Sequence, residues 1–541
     1  MREVAQIAAA LGRQFSHELI SAIARMPQRQ VDEALGQLAG AELIFRRGTP
    51  PDAEYTFKHA LVQDAVYSTL LRGRRQQLHA HIAATLEGQF PEVAKTRPEV
   101  LARHFTEAGL VEVAIGYWTQ AALMSSERYA IVEANIQVRK GLLLLSNLVE
   151  GPARWRSELG LQVLLGRAEF ALKGEGASEV WEAITRARFL CNQLEDRSSL
   201  ADLLRMQGDH HVARRECAAA LHVAEDLLQI AFEQNHPGRK VHAHLLMGRS
   251  LHFLGEFSRA AKHFEQAMSV PTFEADPSTD FFGRTLAAGP YQAVALSYLA
   301  FDLLVLGYLD QAVVRRNQAL ALARKVNHPY VLAVALFWVY SVDRLLGEKT
   351  TFFECLTELR TLARQQKYSL FCQLAELDLA MTLSDHGKSA EALVQARHAI
   401  AEYAGFPVRM QWMRLAFCCE RAGEVEEALR LLDRELKEAN EASERSNEVE
   451  LNRLKGLWLI THRSAQRVEA EDCYKRALMV AREQQAKYWE LRASVSLARL
   501  WRDQGKRTEA SDLLASIYGW FTEGLDTPVL KEAKALLDEL A

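Results

Sequence analysis

Gly387-Lys388-Ser389 has the form of the end of a phosphate-binding loop. That loop needs a second glycine five residues earlier, so that backbone N–H groups can cradle a phosphate. Position 382 is Thr and no strand precedes it, so Gly387 reads as a turn residue. Histidines come in close pairs at His79 and His81, His210 and His211, and His242 and His244. None has the i, i+4 spacing beside a glutamate that a helical zinc site requires, and they read as surface or interhelical side chains. The sequence contains neither a Gly-x-Ser-x-Gly elbow nor a Cys-x-x-Cys pair. Two groupings carry binding potential instead. Arg72, Arg74 and Arg75 form a basic cluster that suits a nucleotide phosphate, a neighbouring domain or a solvated helix end. Phe281, Phe282 and Tyr291 lie in or just beyond a Pro- and Gly-containing stretch from about 271 to 290. They suit either a ligand-contacting surface or packing against adjacent helices.

The 541 residues exceed one hydrophobic core, and 49% hydrophobic with 25% charged residues is ordinary for a soluble folded protein. A net charge of −4 gives no general attraction to nucleic acid or anionic membrane. The 7 cysteines lack metal-ligand spacing and read as reduced, buried, small apolar residues of a cytosolic protein. Met1-Arg2-Glu3 leads into an amphipathic helix, not a signal peptide. The apolar stretch from about Tyr330 to Tyr340 falls short of the roughly 20 residues that span a bilayer. These features predict a cytoplasmic protein with no membrane contact.

The elements that would position the candidates are almost all helical. Strand signal occurs once: Leu43–Arg46 and Glu54–Phe57 flank Gly48, Pro50, Pro51 and Asp52, which predicts a β-hairpin. Helices are predicted at Val4–Leu11, Ser16–Ala24 and Gln30–Ala39 before the hairpin and at Lys58–Leu71 after it. Helices followed by a two-stranded wing make a winged helix. Its DNA-reading helix would carry Arg29, Gln30, Asp32, Glu33 and Gln37, and carboxylates facing phosphates argue against DNA.

Beyond the hairpin one ladder recurs. Gly248, Leu251, Gly255, Ala260, Phe264 and Ala267 set the spacing. Copies include Ala102, Phe105, Gly109, Ala114, Trp118 and Ala121, and Ala380, Leu383, Gly387, Ala392, Ala396 and Ala399. Further copies centre on Gly307, Gly423 and Gly505, with a looser one on Gly456. Small residues let two antiparallel helices approach, glycine ends the first helix in a left-handed conformation, and stacking buries what one pair cannot. Intervals of 36, 40 and 42 residues between Ala380, Ala416, Gly456 and Ala498 exceed the roughly 34 of a strict tetratricopeptide repeat. The ladder is degraded between Arg154 and His236, where Gly166, Ala171, Gly174 and Ala183 hint at one unit. Thr527-Pro528 starts a last helix whose stripe Leu530, Ala533, Leu537 and Leu540 caps the array.

Glu3-Val4 through Gly12-Arg13-Gln14-Phe15-Ser16, with Leu19 and Ile20, resembles the start of the winged-helix segment in signal-transduction ATPases with numerous domains. The run from Tyr55-Thr56-Phe57-Lys58-His59 to Ala65-Val66-Tyr67 is similar to the same family. Ile517-Tyr518-Gly519-Trp520-Phe521-Thr522-Glu523-Gly524, Asp526 and Lys531–Leu537 resemble the tail of bacterial proteins that join a class III adenylate cyclase to such an ATPase and a tetratricopeptide array. The family order is cyclase, P-loop ATPase, winged helix and repeats. The resemblance therefore implies a regulatory half, either a truncated product or one whose ATPase or cyclase partner is supplied in trans. It also implies that His59 corresponds to a β-phosphate-sensing histidine, with Ala60 where that motif has Asp. The alternative for His59 is a helix-start side chain hydrogen-bonded to backbone.

The expectation is an all-α tetratricopeptide-like α-solenoid (superhelix) preceded by a small winged-helix domain with one β-hairpin. Its parts are a winged helix at 1–75, repeats at 76–270 (degenerate at 154–236), a loop at 271–290, repeats at 291–526 and a capping helix at 527–541. The expected work is non-catalytic regulation, with a protein, peptide or small effector in the repeat groove. No metal or cofactor is expected, and ATP or ADP enters only through an ATPase domain in trans. A subunit of a split cyclase or ATPase, and a winged-helix transcription regulator, are the alternatives.

Overall fold

In the computed structural model, alanine-rich stretches pair as antiparallel helices along nearly the whole chain. The structure describes residues 1–541 except 129, 175, 272–287, 403–409 and 464–465. The described residues form 28 α-helices and one three-stranded sheet, an all-α solenoid as the ladder predicts.

The N-terminal segment runs α1 (Arg2–Leu11), β1 (Gln14–Ser16), α2 (His17–Ile23), α3 (Gln28–Gly40), β2 (Ile44–Arg47) and β3 (Glu54–Phe57). Then come α4 (Ala60–Ser68) and α5 (Arg72–Gln89). The predicted hairpin is present, with Phe45 opposite Thr56. The strand β1 was not predicted. It pairs antiparallel with β3 through Phe15 opposite Tyr55, giving the order β1-β3-β2. Three residues with one buried side chain, Phe15, are too few to show alternation. The predicted Lys58–Leu71 helix is shorter, because Leu71 is extended (φ −64°, ψ 147°) and starts α5.

The chain divides into two compact units, residues 1–168 with 192–194, and residues 169–191 with 195–541. The first has its core among α1–α5 and the first repeat helices, from Val4 and Ile20 to Leu101 and Ala114. In the second, helix pairs follow one another from Arg197–Ala213 and Cys217–Glu233 to Lys487–Asp503 and Arg507–Tyr518, closed by Pro528–Leu540. The cap buries Leu530, Ala533, Leu536 and Leu540, so Leu536 replaces Leu537 in the expected stripe.

The ladder's physical logic holds in detail. A Cβ on Gly248 would lie 2.4 Å from the Phe264 ring, so only glycine lets the two helices meet there. The stretch read as degraded contains full-length helices at Pro152–Lys173, Ser178–Leu194, Arg197–Ala213 and Cys217–Glu233. Its first pair keeps a turn glycine, Gly174 at φ 95°, and its second has Arg215 in that place, at φ 68°. A further pair, Pro329–Leu346 with Lys349–Gln366, also escaped the ladder. It has Tyr340, Phe352 and Leu359 at the steps where other copies place mainly small residues.

Pro329–Leu346 is also the one described helix with the length and apolar character of a membrane span, longer than the Tyr330–Tyr340 stretch suggested. It is 61% buried among its neighbours and carries Asp343 and Arg344. Of the stretch expected as a loop over 271–290, residues 288–290 are helical, in a helix from Ala288 to Leu306, and 272–287 lie outside the described residues. The seven cysteines are free, with Cys372 and Cys473 half-buried where full burial was expected.

The second unit folds back on itself. Backbone N–H groups of Arg445 and Ser446 donate to the Phe253 carbonyl at 2.9 and 3.2 Å. The Tyr488 hydroxyl donates to the Leu345 carbonyl at 2.6 Å. A single apolar core accordingly joins Val212, Phe257 and Trp338 with Val449, Tyr488 and Leu530.

Candidate ligand-binding surface

His59 sits at the N-cap of α4 in an extended conformation, exposed, and its side chain makes no capping bond. The helix-start hydrogen bond expected of it is therefore not made. Its carbonyl instead accepts from the backbone N–H of Val62 at 3.1 Å. The arginine cluster lies in the first turn of α5. Arg74 reaches Glu3 of α1 at 3.0 Å, and Arg75 lies over the Tyr67 ring of α4 at 4.7 Å and donates to the Leu70 carbonyl. Arg72 is exposed. Two of the three arginines thus join helices within the first unit, and the structure does not bring them together on one point.

Phe281 and Phe282 lie outside the described residues. Tyr291 is half-buried beside the core, edge-on to His242 with ring centroids 3.7 Å apart. Burial, then the guanidinium charges of Arg205 and Arg249, hold His242 well below the usual histidine range.

The histidine pairs go into packing. His79 and His104 face each other Nδ1 to Nδ1 at 2.8 Å, and the Tyr67 hydroxyl contacts His79 Nε2 at 2.8 Å. Burial, reinforced by Arg103, pushes His79 down to about 4 and His104 to about 3. His210 stacks on Trp181, His211 contacts Glu216 at 2.6 Å, and His244 faces His263 at 3.2 Å. Among the described residues no three His, Cys, Asp or Glu side chains are grouped to hold a metal. Gly387 is a turn residue at φ 79°, as the sequence reading has it.

Several of the carboxylates buried in the repeats are matched to cations or a histidine. Asp378 accepts from Tyr340 at 2.8 Å, Arg344 at 2.9 Å and Arg414 at 3.1 Å. Burial alone would raise this carboxyl, but the two guanidiniums outweigh it and hold it below its usual range. Glu450 is likewise held low against its burial by Arg453 and Arg492. Asp302 contacts His252 at 2.6 Å, and there burial wins and the carboxyl is raised. Asp343 pairs with Arg316. These groups neutralise one another inside the repeats and do not converge on an open cleft.

An open cleft does occur on the surface, between Pro329–Leu346 and Lys349–Gln366, with a volume of about 710 Å³. Leu332, Phe353 and Leu362 make it apolar, Thr357 and Thr361 add hydroxyls, and Glu354 and Glu358 add acidity. Phe353 is 37% exposed and Glu358 is paired with Arg324 at 2.7 Å. This repeat pair is one that the small-residue ladder did not reveal, so the cleft went unread.

Sequence reading also missed a buried cluster around Arg215. Its Nε donates to Glu444 at 2.6 Å and its Nη2 to Glu435 at 3.0 Å, with Glu438 3.6 Å away. The residues are 7% (Arg215), 4% (Glu444) and 1% (Glu435) exposed. A signal was present: Gly208, Ala220 and Ala224 keep the ladder's spacing around position 215, with arginine where the turn glycine belongs.

No described protein family matches the chain. A stretch of 152 residues is 31% identical to an uncharacterized protein of Rhizobium meliloti (strain 1021). The match covers 28% of this chain and 15% of that protein. Among solved structures the chain is similar to a Rap protein complexed with Competence and Sporulation Factor, at 12% identity and TM-score 0.47 over 69% of this chain and 99% of that one. It is similar to the APC/C hetero-tetramer Cut9–Hcn1 at 13% identity and TM-score 0.46, over 96% and 90%. A signal-transduction ATPase with a tetratricopeptide repeat sensor from Pyrococcus horikoshii aligns at 12% identity and TM-score 0.33, over 100% of this chain and 64% of that one. At these identities the likenesses concern helical-repeat architecture alone.

Proposed function

We propose that the chain is a non-catalytic, protein- or peptide-binding regulatory module of a bacterial signalling protein of the adenylate cyclase and ATPase type. The observation that carries the binding part is the cleft at Phe353. An apolar floor with hydroxyls and carboxylates, on a helix pair held rigid by its neighbours, suits a segment offering an apolar side chain beside a basic one. The regulatory part rests on the resemblance of the N-terminal and C-terminal segments. Three helices and the β1-β3-β2 sheet support the winged-helix reading of 1–75. An ATPase or cyclase domain is then the partner in trans, any ATP or ADP would belong to that domain, and the setting is cytoplasmic.

Among the described residues, the split-enzyme reading has no set of side chains converging on a reacting centre to support it. The transcription-regulator reading is weakened at α3, where Asp32 is held by His17 at 2.8 Å and Arg29 is spent on Glu33 at 3.0 Å.

Selection from a random displayed-peptide library tests the binding reading. Peptides carrying an apolar and a basic residue should be enriched and should lose about tenfold or more in affinity to Phe353→Ala. Enrichment of no peptide, or equal binding by Phe353→Ala, would refute the cleft as the site.

A further inference from the structure

Four successive repeat turns in the second unit meet residues far along the chain. Arg215 meets Glu435, Glu438 and Glu444. A Cβ on Gly255 would lie 2.4 Å from Gln484, one on Gly307 2.5 Å from Trp520, and one on Gly347 2.7 Å from Pro528. The same Cβ on Gly387, Gly423 or Gly505 would meet nothing within 4 Å. One run of turns is therefore stacked on a later layer of repeats, and the other is free.

Three of the stacked turns use glycine and make steric or backbone contacts. The fourth uses arginine in the left-handed region, where a side chain carries a conformational cost. At the other described turns within a helix pair, from Gly109 to Gly505, the positive-φ residue is glycine. Positive φ at a residue with a side chain also occurs at turns between pairs, such as Asn235, Asn327 and Gln485, so what sets Arg215 apart is its place within a pair and its surroundings. Here the surroundings are a socket. Glu435 is fixed by backbone N–H groups of Met410 and Trp412 at 3.3 Å each, and Glu438 by the Trp412 indole at 3.1 Å and by Arg434 at 2.9 Å. The guanidinium fork spans Glu435 and Glu444, a geometry that lysine could not reproduce.

We propose that Arg215 is a latch: its guanidinium, seated in the Glu435–Glu438–Glu444 socket, holds this one turn closed on the later layer, and its withdrawal opens that contact locally while the shared apolar core keeps the rest of the layers together. The layers share one apolar core from Val212 to Leu530, so the opening is confined to the polar end of the interface at Arg215. The apolar packing inside each pair, such as Phe264 on Gly248, does not depend on this contact.

The amides of Arg445 and Ser446 report the closure directly, because their acceptor, the Phe253 carbonyl, belongs to the other layer. Arg215→Gly removes the guanidinium and also relieves the backbone, so local strain cannot explain a loss. Hydrogen exchange on the full chain should show those two amides exchanging about tenfold faster or more in Arg215→Gly, with protection inside Val425–Glu441 and Glu448–His462 and far-UV helicity unchanged. Millimolar guanidinium chloride, far below denaturing strength, should restore protection where equal sodium chloride does not. Should Arg215→Gly fail to fold, Glu444→Gln reads the same two amides. Unchanged exchange at Arg445 and Ser446, or acceleration that spreads equally through both helices, overturns the latch.

Discussion

Gly347→Ala and Gly387→Ala place the same methyl group at nearly the same backbone angle, φ 80° and φ 79°, in two turns of one array. Both variants incur the left-handed penalty of an L-residue, about 1–2 kcal/mol. At Gly387 nothing lies within 4 Å of the new atom, so that penalty is the whole cost. At Gly347 the Cβ would stand 2.7 Å from Pro528 Cγ, a ring atom at the first position of the capping helix. A proline ring cannot swing aside as a long side chain can, so helix or turn must shift, at about 1–3 kcal/mol for overpacking. Gly347→Ala should therefore lose about 2–5 kcal/mol in urea unfolding, against about 1–2 for Gly387→Ala. Pro528→Ala deletes the offending Cγ and leaves Pro528 Cβ 3.9 Å away, so the double variant should regain the difference. Equal losses for the two single variants, or no recovery with Pro528→Ala, would refute the stacking of this turn on the cap.

Acid should weaken the first unit through His79 and His104. Their folded values, about 4 and about 3, lie below the ordinary 6.5, so the unfolded chain takes up protons first as pH falls. Stability is then full above pH 6.5 and declines toward pH 4 by about 1.4 kcal/mol per pH unit for each histidine. Protection factors of the Pro98–Ala108 amides should follow that slope, and His104→Phe should flatten it. Asp378→Asn should cost about 3–5 kcal/mol in urea unfolding, because it strands the buried Arg414 guanidinium without its counter-charge. A loss below about 1 kcal/mol would mean that the pair is solvated in practice. Gly248→Ala should cost at least about 1–3 kcal/mol by driving a methyl into Phe264, and Phe264→Leu in the same chain should recover part of it.

The helix pairs were legible wherever small residues mark the approach, as at Gly248 and Ala380, because that spacing is a direct imprint of interhelical distance. They were not legible at Pro329–Leu346 and Lys349–Gln366. There Tyr340, Phe352 and Leu359 fill the steps that are small elsewhere, and a ladder of small residues has no means to register large ones. Around Arg215 the ladder was present, but its punctuation was exchanged for an ion pair whose partners lie more than 200 residues away, beyond the reach of local pattern. The folding back of the second unit was hidden for the same reason, since single contacts such as Tyr488 to Leu345 leave no periodic trace. Of the site residues, Tyr291, read as just beyond the loop, lies in a helix beside the core, where packing against adjacent helices was the alternative to a ligand surface. The cleft at Phe353 escaped notice because an exposed phenylalanine on a helix is in itself unremarked by periodicity.

The central claim is that the chain binds and regulates without catalysing. The most direct measurement incubates the purified chain with ATP and divalent cation and follows phosphate release and cyclic-AMP formation. The account predicts rates equal to those of a protein-free control. Turnover above that control, abolished by substitution of a residue in this chain, would contradict it.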